Sequence, residues 1–399
     1  MSAFTDLWHD ISDIGGTDKT GYIRFAWTAA EWELRTWFRA QAKLRGLEYE
    51  VDGNTTLWAT WNPSGSSETA VVTGSHFDSV PHGGAYDGPL GIVSAFLAID
   101  RLRAQGVVPA RPIRIAAFAE EEGSRFGIAC LGSRLMTGVF DPDRARALTD
   151  RDGITLASAL EEYDFDPARL GPDPTRLRDT HAFVELHVEQ GRALAVPVGI
   201  GSSIWPHGRW RMDFTGEGNH AGTTLMTDRH DPMLTYAFTV LAANKEARVL
   251  GAHATVGRVA VHPNATNAIP SRVTGWLDAR AATSETLGTL VSSLSAKVAT
   301  RSAKDGTTVE ITAESTTGEI GFSDALVRRC RTTLGERTPV LPTGAGHDAG
   351  VLSGVVPTVM LFVRNPTGVS HAPAERADDE DCEAGVEALA AVLEELACR

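Results

Sequence analysis

Short apolar runs without a polar face set the architecture of this chain. Thr69–Thr73 (TAVVT) is apolar and β-branched, and Ile113–Phe118 (IRIAAF), Phe183–Leu186 and Val355–Val363 (VVPTVMLFV) repeat the theme at strand length. A strand of this kind is covered on both sides, the condition of a parallel sheet between helices. Segments of helical period lie between the runs. Glu31–Arg45 places Trp32, Trp37, Phe38 and Leu44 on an apolar side, and Gly91–Arg103 does the same with Ile92, Phe96, Ile99 and Leu102. Cys382–Leu396 closes the chain with Val386, Leu389, Val392, Leu393 and Leu396 on one face. The expectation is an α/β fold, a largely parallel sheet covered by helices.

The middle has another period. Arg209–Phe214 (RWRMDF), His253–Val261 and Arg272–Leu277 alternate apolar and polar residues, and Thr307–Thr312 does so more weakly. Alternation marks strands with one wet face, hence an antiparallel sheet. The period changes near residue 206 and changes back near 317. This predicts a smaller α+β domain over 206–317, inserted into a discontinuous domain of residues 1–205 and 318–399. The length of 399 residues agrees with two domains at ~100–200 residues each. The acidic run Asp378–Asp381 reads as the solvated first turn of the last helix, where negative charge suits the dipole.

Charge and composition exclude several classes. Lys and Arg number 37 against 51 Asp and Glu, a net charge of −14, which disfavours a nucleic-acid partner. No apolar run approaches the ~18 residues of a membrane span. Met1–Asp10 is polar and acidic, unlike a secretory signal. Cys130, Cys330, Cys382 and Cys398 are scattered and form no C-x-x-C pair, so reduced thiols and a cytoplasmic location are expected. Any metal must then be held by histidines and carboxylates.

Five polar stations follow the buried runs. His76 and Asp78 stand in GSHFD, and Asp87 stands in GGAYDG just before a helix. Glu120, Glu121 and Glu122 are adjacent, and Glu185, His187 and Glu189 share one side if their strand is regular. His371 follows the last run. Each has a plain reading alone: a turn histidine, a helix-start aspartate, a charged loop. Together they are not accidental, because loops at the carboxyl ends of parallel strands are where such folds bind ligands. Three adjacent acids beside apolar strands also repel one another unless cations compensate them. One carboxylate can bind an ion while its neighbour moves a proton. A set of His, Asp, Glu, His and His suits two divalent ions sharing one carboxylate.

The segments GSHFDSV, GGAYDGPLG, EEEGSRFG, ELHVEQG, NHAGTT, NATNAIP, DAR, GAGHDA and VSHAP resemble the signatures of M20-type metal-dependent amidohydrolases. The similarity runs in order from Gly74 to Pro373 and is nearest to the hydantoinase/carbamoylase branch. That branch includes N-carbamoyl-L-amino-acid hydrolases, β-ureidopropionases and allantoate amidohydrolases. The resemblance implies two divalent ions per subunit, Zn2+ or Mn2+. His76 and His187 would ligate one, Glu122 and His371 the other, and Asp87 both. It further implies Glu121 as general base, Asp78 as the group orienting His76, and His220 as the residue stabilising the oxyanion. Asn267 and Arg280 would hold a substrate carboxylate, for which the Arg fork is the right shape. Gln190 would contact substrate. Read without the resemblance, His220 follows a turn and fits plain surface, Asn267 fits a turn cap, and Arg280 fits an edge charge.

The implied reaction is cleavage of the ureido C–N bond of an N-carbamoyl-L-amino acid or similar carboxylate-bearing compound, giving amine, ammonia and CO2. The implied assembly is a homodimer, with the inserted domain closing over a small-molecule substrate. Trp205-Pro206-His207-Gly208-Arg209-Trp210 departs from the Gly-Gln-Arg-Arg-Tyr type of run expected of an allantoate amidohydrolase, and the usual carbamoylase run is absent as well. Allantoate hydrolysis, and N-acyl amino-acid amidase or dipeptidase activity, stand as alternatives. A non-catalytic protein that kept the fold is a weaker one, because the five ligands and Glu121 are all present.

Overall fold

The computed structural model describes residues 2–398. In chain order the main elements are α1 (Ala29–Leu44), β1 (Glu48–Val51), β2 (Leu57–Trp61), β3 (Ala70–His76), α2 (Pro89–Ala104), β4 (Ile113–Phe118), β5 (Thr180–Val188) and β6 (Val198–Ile204). Then come β7 (His207–Thr215), α3 (Pro232–Leu250), β8 (His253–His262), β9 (Arg272–Arg280), α4 (Ser284–Asp305), β10 (Thr308–Thr317), β11 (Thr358–Val363) and α5 (Asp379–Cys398). The chain forms two compact units. One comprises the residues up to Ser203 and from Gly321 onward, the other Ile204–Ile320.

In the larger unit the main strands lie in the order β6-β11-β5-β3-β4-β2-β1, and the short strand Val340–Thr343 also pairs with β6. The pairs β11/β5, β5/β3 and β3/β4 are parallel, while β6/β11, β4/β2 and β2/β1 are antiparallel. The sheet is therefore parallel across its middle four strands and antiparallel at its margins. The middle strands are the apolar runs, and β3 and β11 are buried throughout. Helix α2 is buried nearly all round because it packs between the sheet and α5. The stripe Val386, Leu389, Val392, Leu393 and Leu396 of α5 lies in the core. Parallel strands end on one edge of a sheet, so the stations after β3, β4, β5 and β11 share that edge.

Two local readings are corrected. The buried face of α1 is Leu34, Trp37 and Phe38, whereas Trp32 is 41 % and Leu44 78 % exposed. The face turns because Glu31 and Arg35 neutralise each other one helical turn apart and go inside together, with Arg35 Nε donating to Glu31 at 2.5 Å. Trp32 packs against the rings of Tyr163 and Phe165. In the acidic run, Asp381 is buried rather than solvated, because its carboxylate accepts two hydrogen bonds from Arg364 at 2.7 and 3.0 Å.

The smaller unit is an antiparallel sheet of order β8-β9-β7-β10. The alternation of β7 puts Trp210, Met212 and Phe214 on one face, with Phe214 opposite Val273 and Trp210 opposite Leu277 of β9. Helices α3 and α4 cover that face through Ala242, Ala243, Ala247, Leu287, Leu290, Leu294 and Val298. The last four follow i, i+3, i+7, i+11 and so form one apolar stripe.

Candidate metal centre

His76 is the last residue of β3, and His187 the penultimate residue of β5. Both rings are fully buried. His76 Nδ1 lies 2.9 Å from the main-chain oxygen of Asp78, and His187 Nδ1 lies 2.8 Å from that of Val188. A carbonyl only accepts, so each ring carries its proton on Nδ1 and turns the Nε2 lone pair into the site. Neither Nε2 has a hydrogen-bond partner. They face the same oxygen, Asp87 Oδ1, at 3.5 and 3.2 Å.

Asp87 Oδ2 faces the opposite way. His371 Nε2 is 3.4 Å from it, and 3.5 Å from Glu122 Oε1. Two donor sets thus meet at one carboxylate: His76, His187 and Asp87 on one side, Glu122, His371 and Asp87 on the other. Lone pairs aimed at lone pairs repel unless a proton or a metal cation lies between them. The buried orphaned Nε2 atoms and the N/O donors fit a divalent metal for this reason.

The electrostatics agree. Burial alone would raise the Asp87 carboxyl, but the imidazoles of His187, His371 and His76 hold it well below the usual range. Burial works the other way on His76, yet the Glu121, Asp87 and Asp78 carboxylates raise it well above an ordinary imidazole. Burial, the charge of Glu122 and other nearby acids push Glu121 well up, and burial and Asp87 push Glu122 up to about 7. Glu120 and Asp348 reach about 8, each mainly through burial. A buried surplus of carboxylates is the electrostatic signature of a cation site.

The three adjacent acids take three directions. Glu120 turns back on its own loop and accepts from the N–H groups of Arg125 and Phe126 at 3.0 and 2.6 Å. Glu121 places Oε2 3.7 Å from His76 Nε2, while Oε1 accepts from the Cys130 thiol at 3.3 Å. Glu122 faces His371.

Asp78 works differently from the expectation. Its main-chain carbonyl, not its carboxylate, holds the His76 ring; the carboxylate lies 3.7 Å from Nδ1. The two carboxylate oxygens accept instead from the N–H groups of Glu121 and Glu122, at 3.1 and 3.0 Å. The turn after β4 would otherwise leave those donors buried and unpaired. Glu189 also differs, because β5 ends at Val188; Glu189 folds back and accepts from the N–H groups of Ala193 and Leu194. Gln190 Nε2 donates to Asp87 Oδ2 at 2.8 Å and lies 3.2 Å from His371 Nε2.

Sequence reasoning gave no role to Glu185, His347, Asp348 or Glu375. Glu185 accepts from Ser75 Oγ and from the Ala349 N–H, both at 2.9 Å. Glu185, His187 and His347 form a further group whose ligand atoms lie within 4.8 Å of one another. The His347 ring lies 4.5 Å from that of His187, and burial and the neighbouring imidazole lower it well below the usual range. Asp348 opens the short helix Asp348–Leu352 and accepts from Ser133 Oγ at 2.5 Å. The GAGHDA segment, an acid and a histidine at a helix start, was the available signal.

His220, Asn267 and Arg280 belong to the smaller unit. His220 pairs with Ala268 in a two-residue ladder, and Asn267 O accepts from the Ala221 N–H at 3.0 Å. His220 and Asn267 line one recess of about 460 Å³, together with His262 and Pro263. Arg280 is not among its lining residues. At the end of β9 its fork meets Asp278, Nε to Oδ1 at 2.9 Å and the terminal nitrogen to Oδ2 at 3.3 Å.

Comparison with known proteins shows the family. Residues 72–395 match the family described as peptidase family M20/M25/M40. The chain is 34 % identical to an N-carbamoyl-L-amino acid amidohydrolase of Geobacillus stearothermophilus, with 96 % of each chain covered. It is 32 % identical to the allantoate amidohydrolase of Escherichia coli K12, over 97 % of this chain and 96 % of that one. The crystal structure of an amidase of the hydantoinase/carbamoylase family from Burkholderia vietnamiensis superposes with a TM-score of 0.88 at 31 % identity, covering 99 % of this chain and 97 % of that one. On these grounds the chain belongs to peptidase family M20/M25/M40, in its hydantoinase/carbamoylase branch.

Proposed function

We propose that the protein is a two-metal amidohydrolase that cleaves the ureido C–N bond of an N-carbamoyl-L-amino acid. One observation carries the reading: a single buried carboxylate, Asp87, turns one oxygen to two imidazole nitrogens and the other to a third. His76 and His187 would hold one divalent ion, Zn2+ or Mn2+, Glu122 and His371 the other, and Asp87 both. When bound, such ions polarise the scissile carbonyl and make water acidic at neutral pH.

The chain supplies the proton path. Glu121 takes a proton from the attacking water and returns it to the leaving nitrogen as the C–N bond breaks. The amino acid leaves with its amine restored. The carbamate left behind collapses to ammonia and CO2, so one water is consumed overall. Burial and neighbouring acids hold the Glu121 proton tightly, and cationic charge beside it favours the carboxylate that a base requires. On this reading Arg280 and Asn267 receive the substrate carboxylate, Gln190 contacts the substrate, and His220 donates to the developing oxyanion. The assembly is a homodimer. The location is cytoplasmic, in keeping with the free thiols of Cys130, Cys330 and Cys382.

Allantoate is a second candidate substrate, since it also carries a ureido group and a carboxylate. The 32 % identity to the Escherichia coli allantoate amidohydrolase favours keeping it. The test is metal analysis with ammonia release, using N-carbamoyl amino acids, allantoate and the matching N-acetyl amino acids. Expected are about two ions per subunit, ammonia from the ureido compounds, loss of turnover on chelation and recovery with Zn2+ or Mn2+. Full turnover after exhaustive metal removal overturns the mechanism. A preference for the N-acetyl compounds overturns the substrate class.

A further inference from the structure

We propose that Glu375 is a positioning residue that sets Asp87 and the loop of His371 relative to one another, and so defines one of the two donor sets. The proposal rests on the metal-centre reading above.

Glu375 lies four residues beyond His371, in a turn closed by its own N–H to Ala372 O at 3.0 Å. Its side chain is buried, at 5 % exposure. Oε1 accepts from the main-chain N–H groups of both Tyr86 and Asp87, each at 3.0 Å. Oε2 accepts from the Ser370 hydroxyl at 3.1 Å, and that hydroxyl also lies 3.3 Å from Asp87 Oδ2.

Two segments nearly three hundred residues apart therefore meet on one carboxylate. Glu375 and Ser370 supply hydrogen bonds between these two segments, and His371 Nε2 adds its 3.4 Å approach to Asp87 Oδ2. The chemistry demands an acceptor there. Tyr86 and Asp87 come just before α2, whose first residue is Pro89, and neither N–H has an intrahelical partner. A carboxylate oxygen can take both.

Gly84 is the counterpart of this arrangement. A Cβ at residue 84 would stand 2.2 Å from Cδ and Oε1 of Glu375 and 2.5 Å from its Cβ. The second glycine of GGAYDG thus leaves room for the acid that follows HAP. On the far side, the Tyr86 ring stacks on Trp8 with centroids 4.8 Å apart, so the Asp87 segment is held from two directions. Remove the carboxylate, and the Asp87 main chain and the Ser370 hydroxyl lose their common reference. Asp87 belongs to both donor sets, but His371 to only one. The set of Asp87, Glu122 and His371 should therefore suffer most.

The experiment titrates Co2+ alone into chelator-stripped protein. It follows the visible spectrum of the bound ion and obtains affinities by competition with a chromophoric chelator. Wild type is expected to bind about two Co2+. Glu375→Ala and Gly84→Ala are expected to weaken the binding of one ion by about 10–100-fold, the usual effect of removing a group that orients ligands, and to change its spectrum. Ser370→Ala should give a smaller loss of the same kind. Glu375→Gln should bind nearly as wild type. Its Oε1 still accepts both N–H groups, and the Ser370 hydroxyl can reverse to accept from Nε2.

Folded Glu375→Ala or Gly84→Ala protein that binds both ions as wild type overturns the proposal. An equal loss in Glu375→Gln also overturns it, since charge rather than placement would then matter. If Glu375→Ala does not fold, Gly84→Ala and Ser370→Ala decide on the same scale. Wild-type protein that binds no Co2+ overturns the metal-centre reading and this proposal with it. Wild-type binding with unaffected variants overturns the positioning role alone.

Discussion

Asp78→Asn separates two accounts of the HFD segment. If the carboxylate oriented His76, an amide oxygen of the same shape could still accept from Nδ1. In the structure the ring is held by the Asp78 carbonyl, which the substitution leaves alone. What changes is the clamp on the turn after β4, where two oxygens accept from two consecutive N–H groups at 3.1 and 3.0 Å. Asparagine keeps one acceptor and points an N–H at the other donor. A hydrogen bond to a charged group contributes ~1.5–3 kcal/mol, and an orphaned buried donor costs ~1–3 kcal/mol. Burial pushes the Asp78 carboxyl up, so replacing the charge returns part of the loss. A net weakening of ~2 kcal/mol in the local opening of this turn corresponds to about thirtyfold. The assay is amide hydrogen exchange of the metal-loaded protein, resolved at Glu121 and Glu122. Exchange at one or both should rise about thirtyfold, with a parallel fall in turnover as Glu121 loses its fixed position. Unchanged exchange at both amides, with the His76 Nδ1–H signal retained, would refute the clamp and return Asp78 to the role of orienting the imidazole.

Three further outcomes are expected. Glu121→Gln should retain both ions, since Glu121 is counted in neither donor set, yet lose ~10²–10⁴ in kcat; loss of metal instead would mean that Glu121 and Glu122 exchange roles. Arg280→Ala should raise KM for an N-carbamoyl amino acid by about 10–100-fold, from hydrogen bonds of ~1.5–3 kcal/mol to a carboxylate, and hardly affect the matching amide. Arg280→Lys should recover only part of that, and equal losses on acid and amide would make the residue structural. Gly74→Ala should abolish soluble folded protein, because residue 74 has φ of 147° and a Cβ there would stand 1.8 Å from the Ala116 carbonyl oxygen of β4; a wild-type circular dichroism spectrum and yield would refute this.

Local chemistry made much of the protein legible in advance. An apolar run without alternation must be covered on both faces wherever it goes, so TAVVT and VVPTVMLFV announced inner strands of a parallel sheet. The switch to alternation in RWRMDF announced a sheet with one exposed face. The polar stations at His76, Asp87, Glu120–Glu122, His187 and His371 stood out because titratable groups beside buried strands need a compensating partner, while the choice of Glu122 among the three acids came from the family resemblance. Such inferences need only the residue and its near neighbours. The structure decided what depends on segments far apart in the chain. That Trp32 faces outward followed from Glu31 and Arg35 going inside together. That Glu120, Glu121 and Glu122 diverge followed from the turn on which Asp78 holds them, more than forty residues away. Ser75 meets Glu185 across 110 residues, Ser133 meets Asp348 across 215, and Glu375 meets Asp87 across 288. No periodicity encodes such pairs. A buried donor accepts whichever acceptor the packed chain brings within 3 Å, and that choice exists only once the sheet has been assembled.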